Sequence, residues 1–288
     1  IPLSLYVHLP WCETQCPYCD FSITTDPVGG NDAKLAEAII QDINESKDLV
    51  AGRKFKTIYF GGGTPSLAST ESIKHILDSI KDRLSSKEIE ITLEMNPSNV
   101  SEAKIDELLM AGINRISLGI QSYNNQELQA LGRNHDRESA IQATQALQGI
   151  NSTIDLIYGI EKQTPKSFIT NLERIIQSNI NHLSLYQLTI EPNTIFYKKE
   201  LNLPNEEEIE KIELIAKEFL EKNGYIQYEV SSWSKPGHES QHNMNYWQFG
   251  DFLGVGPGSH SKISNEEEII RFRKIKPFGG IHTKPKIN

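Results

Sequence analysis

Apolar and polar residues alternate in short runs along this chain, and the longer stretches between those runs carry helical spacing. "LSLYVHL" (3–9), "TIYF" (57–60), "EIEITLE" (88–94), "RISLGIQ" (115–121), "TIDLIYG" (153–159) and "HLSLYQL" (182–188) predict strands. Ile73, Ile76, Leu77, Ile80 and Leu84 follow the i, i+3, i+4, i+7 rule of an amphipathic helix, and Leu35, Ile39, Ile40 and Ile43 follow it more loosely. Ser69 or Thr70 is placed to cap the first of these helices, and Gly224 to end the charged helix 206–222. Six β-then-α units in succession predict a parallel sheet with right-handed crossovers. The expected fold is α/β, a partial (β/α)6 barrel of the TIM type, with a flat doubly wound sheet as the alternative. The barrel is expected over residues 1–235, with 236–288 as a C-terminal extension leading toward a further domain.

The same alternation says where a site belongs. Side chains on a strand point to opposite faces in turn, so the apolar set marks the side that meets the helices. In 88–94 that set is Ile89, Ile91 and Leu93, which turns Glu94 to the inside. Ile116, Leu118 and Ile120 turn Ser117, Gly119 and Gln121 inward, and Ile154, Leu156 and Tyr158 do the same for Asp155. Tyr6, His8 and Tyr59 share the inner face of the first two strands. Glu94 and Gln121 stand at the C-terminal ends of their strands, where a (β/α) barrel carries its catalytic mouth.

Composition narrows the class without choosing the chemistry. Hydrophobic residues make up 38% and charged residues 23% of 288, ordinary values for a soluble domain. A net charge of −9, from 29 Lys and Arg against 38 Asp and Glu, disfavours a nucleic-acid surface. No apolar run reaches the ~18 residues of a membrane span, and no signal-peptide pattern opens the chain. The chain starts at Ile1 without a Met, as a trimmed or partial sequence would. Three clustered cysteines do not form a disulfide framework, so a reducing cytoplasm is the expected compartment.

Those cysteines, Cys12, Cys16 and Cys19, are spaced C-x3-C-x2-C in the loop leaving the first strand. A structural zinc site takes four ligands, usually in two separated pairs, and no second pair exists here. His8 is a conceivable fourth ligand, but it lies on the strand rather than in the loop. Iron–sulfur cubanes are also held by thiolates, usually four of them. Three would leave one iron open to an outside molecule.

With an aromatic residue, Tyr18, before the last cysteine, the spacing resembles the signature of radical S-adenosylmethionine (SAM) enzymes. In that family the open iron of a 4Fe–4S cluster binds the amino and carboxylate groups of SAM, and the reduced cluster cleaves the sulfonium to methionine and a 5'-deoxyadenosyl radical. "FGGGTPS" (60–66) is not a P-loop, because no Gly-Lys-Ser/Thr follows. It resembles the family's glycine motif, which implies that Gly62, Gly63 and Thr64 line the methionine part of SAM. The resemblance also implies a SAM contact for Tyr6 and a ribose contact for Glu94. "YVHLPWC", "CPYCDF", "LEMNP", "RISLGIQS", "LGRNH" and "IDLIYGI" are similar, in order and spacing, to the oxygen-independent coproporphyrinogen III oxidase superfamily. Gln121, Arg133 and Asp155 would then meet a second SAM.

Two groups share that pattern. True oxidases carry a further cysteine two residues after the third, where this chain has Phe21. The pattern here resembles the HemW-type heme chaperones instead. "HNMNYW" (242–247) resembles a motif associated with heme in that group, which implies heme contacts for His242, Asn243, Tyr246 and Trp247. An imidazole suits heme iron, and aromatic rings suit a porphyrin face. The resemblance further implies heme-accepting partner proteins, including membrane respiratory enzymes, and an electron donor such as flavodoxin or ferredoxin. The tail carries Arg271, Arg273, Lys274, Lys276, Lys284 and Lys286 without an acid. It reads as a solvated linker, with propionates, a partner or a membrane surface as alternative contacts. The rival readings are a coproporphyrinogen III oxidase and a zinc-bound structural protein.

Overall fold

β-branched and aromatic residues in period-2 runs make the strands, and the first, second, third and fifth of them end where Pro10, Gly62, Asn96 and Gly159 break the alternation. The structure, a computed structural model, describes residues 1–25 and 31–274 and the backbone of 286–287. In chain order it holds β1 (Leu3–Leu9), α1 (Asp32–Glu45), β2 (Phe55–Gly62), α2 (Thr70–Ile80), β3 (Glu90–Met95), α3 (Glu102–Ala111), β4 (Arg115–Gln121), α4 (Asn125–Ala130), α5 (Arg137–Ala146) and β5 (Ser152–Tyr158). There follow α6 (Pro165–Gln177), β6 (His182–Gln187), α7 (Glu206–Lys222), β7 (Ile226–Gln227), β8 (Ser232–Ser234), α8 (Gln241–Trp247), β9 (Asp251–Val255), β10 (His260–Ser264), β11 (Ile269–Arg273) and β12 (Lys286–Ile287). The fold is α/β, with one sheet in the order β12-β11-β10-β9-β1-β2-β3-β4-β5-β6-β8-β7. From β9 through β6 the neighbours run parallel, and β10 and β8 flank that block antiparallel. The sheet is not closed, as a partial barrel requires.

All six predicted strands are present, with ends displaced by a residue or two: 57–60 extends to Phe55–Gly62, and 88–94 becomes Glu90–Met95. Ser69 caps α2 as expected, accepting from the Ser72 N–H, and Gly224 follows α7 in a left-handed conformation (φ +82°). The apolar faces bury as the phases require. Leu3, Leu5, Val7, Ile58, Phe60, Leu93, Ile116, Leu118 and Ile154 are enclosed between sheet and helices. Each such burial contributes about 1.5–3 kcal/mol before the ordering entropy is subtracted.

The segment after 235 is woven into this sheet. β9 lies parallel beside β1, with Tyr6 opposite Gly254, and β10 and β11 continue outward. Lys274 departs from the expected solvated tail: its ammonium is buried and paired with Asp42 on α1. Lys276 and Lys284 lie outside the described residues.

Candidate functional site

The C-terminal ends of the strands surround a cavity of about 470 Å³. Cys12, Cys16 and Cys19 line it on one side, with no disulfide among them. Gly62, Gly63 and Thr64, then Glu94, Gln121, Arg133 and Asp155, line the rest. The structure therefore brings the three cysteines and seven of the eight expected SAM residues to one cavity. Tyr6 is the exception. It backs the wall, its ring stacked on Tyr59 at 6.3 Å and its hydroxyl 3.1 Å from His8 Nδ1.

Backbone contacts fuse the cysteine loop to the glycine loop. Gly63 N–H donates to Leu9 O at 2.8 Å and Thr64 N–H to Trp11 O at 2.6 Å. A Cβ on Gly63 would sit 2.3 Å from Trp11 O, so only glycine allows this approach. Thr64 Oγ1 lies 3.4 Å from Cys12 Sγ and accepts from Asn96 Nδ2 at 2.9 Å. Asn96 Oδ1 in turn accepts from Arg133 Nη2 at 2.9 Å, and Arg133 Nη1 donates to Cys16 Sγ at 3.4 Å. One chain of contacts thus runs from the first cysteine to the second. The Arg133 Nε–H is buried without a partner at this cavity, a group left for something that enters. Burial, then the neighbouring Cys16 and Cys12, pushes the Cys19 thiol up to about 11. A metal or another cation is what would turn these thiols into thiolates.

Glu94 is half-buried in the wall of this cavity. Tyr59 Oη donates to its Oε1 at 2.9 Å and Gly62 N–H to its Oε2 at 3.2 Å. Burial raises its carboxyl to about 7; the Tyr59 bond opposes that rise and the Asp155 charge adds to it. Asp155 is raised as well, chiefly by burial, although Ser117 Oγ donates to it at 2.7 Å. Gln121 reaches the cavity through a bulge: its φ is +68°, and the β4–β5 register shifts between Gly119 and Gln121. Strand phase predicted its face but not this device.

The "HNMNYW" residues are elsewhere. They form α8, which covers the starts of β1, β2 and β3, the end of the barrel opposite the mouth. Glu90 at the start of β3 accepts from the Gln241 and His242 N–H groups, each at 2.9 Å. His242 is 1% exposed. Thr57 donates to Ser4 Oγ, so His242 Nδ1 donates to Thr57 Oγ1 (2.8 Å) and Nε2 accepts from Tyr246 Oη (3.0 Å). Burial, then the Arg115 charge, lowers the imidazole to about 3, so it is neutral. Asn243 and Tyr246 are half-buried and Trp247 is exposed. The four residues expected to meet heme thus share one seven-residue helix, in which His242 is already engaged with Thr57 and Tyr246 and Trp247 alone is well exposed. Asn96 is what the sequence reading passed over, although it stands two residues beyond Glu94, in the same phase.

Among the described residues, no group of three His, Cys, Asp or Glu side chains could hold a metal ion. Among the same residues, no helix is long and apolar enough to cross a membrane.

A model of the radical SAM superfamily matches residues 6–175. Heme chaperone HemW of Buchnera aphidicola subsp. Schizaphis graminum is 39% identical over 279 residues, 96% of this chain and 74% of that protein. Heme chaperone HemW of Escherichia coli is 39% identical over 280 residues, with the same coverage of 96% and 74%. Among solved structures, coproporphyrinogen III oxidase (HemN) from E. coli, a radical SAM enzyme, superposes with a TM-score of 0.81. It is 26% identical over 96% of this chain and 67% of its own.

Proposed function

The chain belongs to the radical SAM superfamily, alongside the HemW heme chaperones, and from that premise we propose that it binds heme and delivers it to acceptor proteins, using a 4Fe–4S cluster and SAM. The observation that carries the reading is the set of three free thiols facing a cavity with Thr64, Glu94 and the unpartnered Arg133 Nε–H. Three thiolates suit a cubane with one iron left for SAM. When bound, the reduced cluster supplies the electron that splits the SAM sulfonium.

The chain's own groups would do the rest. Gly62 and Gly63 let the backbone approach the methionyl end, and Thr64 supports Cys12. Glu94, when ionised, accepts from the ribose hydroxyls, and Tyr59 and the Gly62 N–H hold it in place. Arg133, Gln121 and Asp155 offer donors and acceptors for a further ligand in the same cavity. We assign the heme contact to Trp247, exposed at 58%, rather than to His242. The Nε2 lone pair that iron would need is already held by Tyr246. The electron donor and the acceptor proteins follow from the same family reading.

The second reading, coproporphyrinogen III oxidase, is favoured by the HemN superposition. Phe21, 62% exposed, stands against it in the place of the oxidases' additional cysteine. Incubating anaerobically reconstituted protein with coproporphyrinogen III, SAM and reductant separates the two. The expected result is no protoporphyrinogen IX, with hemin bound when it is titrated into the same protein; sustained formation of protoporphyrinogen IX would overturn the chaperone assignment.

A further inference from the structure

Between the first two cysteines lies a carboxylate that receives three hydrogen bonds from two other loops. Glu13 Oε2 accepts from Asn134 Nδ2 at 2.7 Å and from Ser98 Oγ at 3.0 Å; Oε1 accepts from Asn99 Nδ2 at 3.0 Å. Ser98 and Asn99 follow β3, in the same segment as Asn96, which holds Thr64 and Arg133. Asn134 follows Arg133, the residue that donates to Cys16. The two loops that grip the second cysteine through Arg133 therefore also grip the stretch before it through Glu13.

We propose that Glu13 is a positioning residue that pre-forms the Cys12–Cys16 segment for the cluster, an inference that rests on the cluster reading above. A carboxylate suits the task because it only accepts, and each of its oxygens takes more than one donor. Hydrogen bonds to an ionised acceptor are also stronger than neutral ones. Without it, three donors lose their common partner, and in the loop between Cys12 and Cys16 only the Cys12 thiol's bond to Thr14 O remains among the described residues. Ordering that loop would then fall to the incoming cluster, which weakens binding by the entropy of the ordering.

The test compares wild type, Glu13→Ala and Glu13→Gln. Glutamine keeps one acceptor oxygen, and Asn99 can turn its amide to meet the new NH2, so Gln should recover most of the wild-type behaviour. In metal-free protein, amide hydrogen exchange at Cys12 and Cys19, whose N–H groups donate to Thr24 O and Cys16 O, should quicken about tenfold in Glu13→Ala, the scale of losing a charge-assisted anchor. The strands of the barrel should exchange at unchanged rates. In reconstituted protein, Glu13→Ala should lose iron to a chelator several-fold faster, with Glu13→Gln close to wild type. Unchanged exchange at Cys12 and Cys19 in Glu13→Ala, or exchange raised equally across the barrel, would overturn the proposal. If wild type itself takes up no iron and sulfide, the cluster reading fails, while the metal-free exchange still decides whether the clamp exists.

Discussion

Replacing Glu94 by Gln should make this protein more stable at pH 8 and leave it unchanged at pH 5. Burial raises the Glu94 carboxyl to about 7 from an ordinary 4.5. Its folded-state pKa thus lies above the unfolded one, so its contribution to stability is intact below about pH 4.5 and lost as the pH rises through 7. At about 1.4 kcal/mol per pH unit, full ionisation would oppose folding by ~3 kcal/mol. The cavity opens to solvent, and water there screens the charge, which brings the expected value to about 1–2 kcal/mol. The uncharged amide avoids that cost while its oxygen still accepts from Tyr59 Oη. Thermal unfolding of the metal-free protein should therefore show Glu94→Gln melting about 3–6 °C higher than wild type at pH 8. At pH 5 the two should coincide. The benefit to stability is a loss to function: SAM affinity should tighten as the pH rises through 7 in wild type and stay flat in Glu94→Gln, apart from SAM's own titration, which both proteins share. A variant less stable at both pH values, or one that keeps the wild-type pH dependence, would refute the reasoning.

Three further substitutions probe the mouth and the floor. Gly63→Ala forces a methyl against Trp11 O at 2.3 Å and Pro10 O at 2.8 Å, so chemical denaturation should show a loss of at least ~2 kcal/mol, and an unchanged midpoint would contradict the close loop approach. Trp247→Ala should weaken hemin uptake, whereas His242→Ala should lower stability by about 2–4 kcal/mol without moving the Soret maximum; a Soret change in folded His242→Ala would return the iron ligand to His242.

Local pattern carried a large part of the architecture. Strand phase turned Glu94, Gln121 and Asp155 inward, and all three line the cavity with the cysteines. What it missed depends on distant pairing. β9 sits beside β1 although some 240 residues separate them, and no periodicity within either strand announces that partner. Arg133 gave no strand signal because it follows α4 in a loop; it donates directly to Cys16 Sγ and is held in place by Asn96 Oδ1 and Gly119 O. α8 was hidden by its length: seven residues of mixed amide, imidazole and aromatic character show no helical stripe. Without that helix, nothing in "HNMNYW" placed His242 under the barrel, at the far end from the cysteines.

The central claim is a SAM-binding cluster on three thiols, and electron paramagnetic resonance after anaerobic reconstitution tests it most directly. The account predicts about four irons and matching sulfide per chain, a reduced-cluster signal that changes shape when SAM is added, and no such signal once Cys12, Cys16 or Cys19 is replaced by Ser. One bound zinc with no iron or sulfide, or a cluster signal indifferent to SAM, would contradict it.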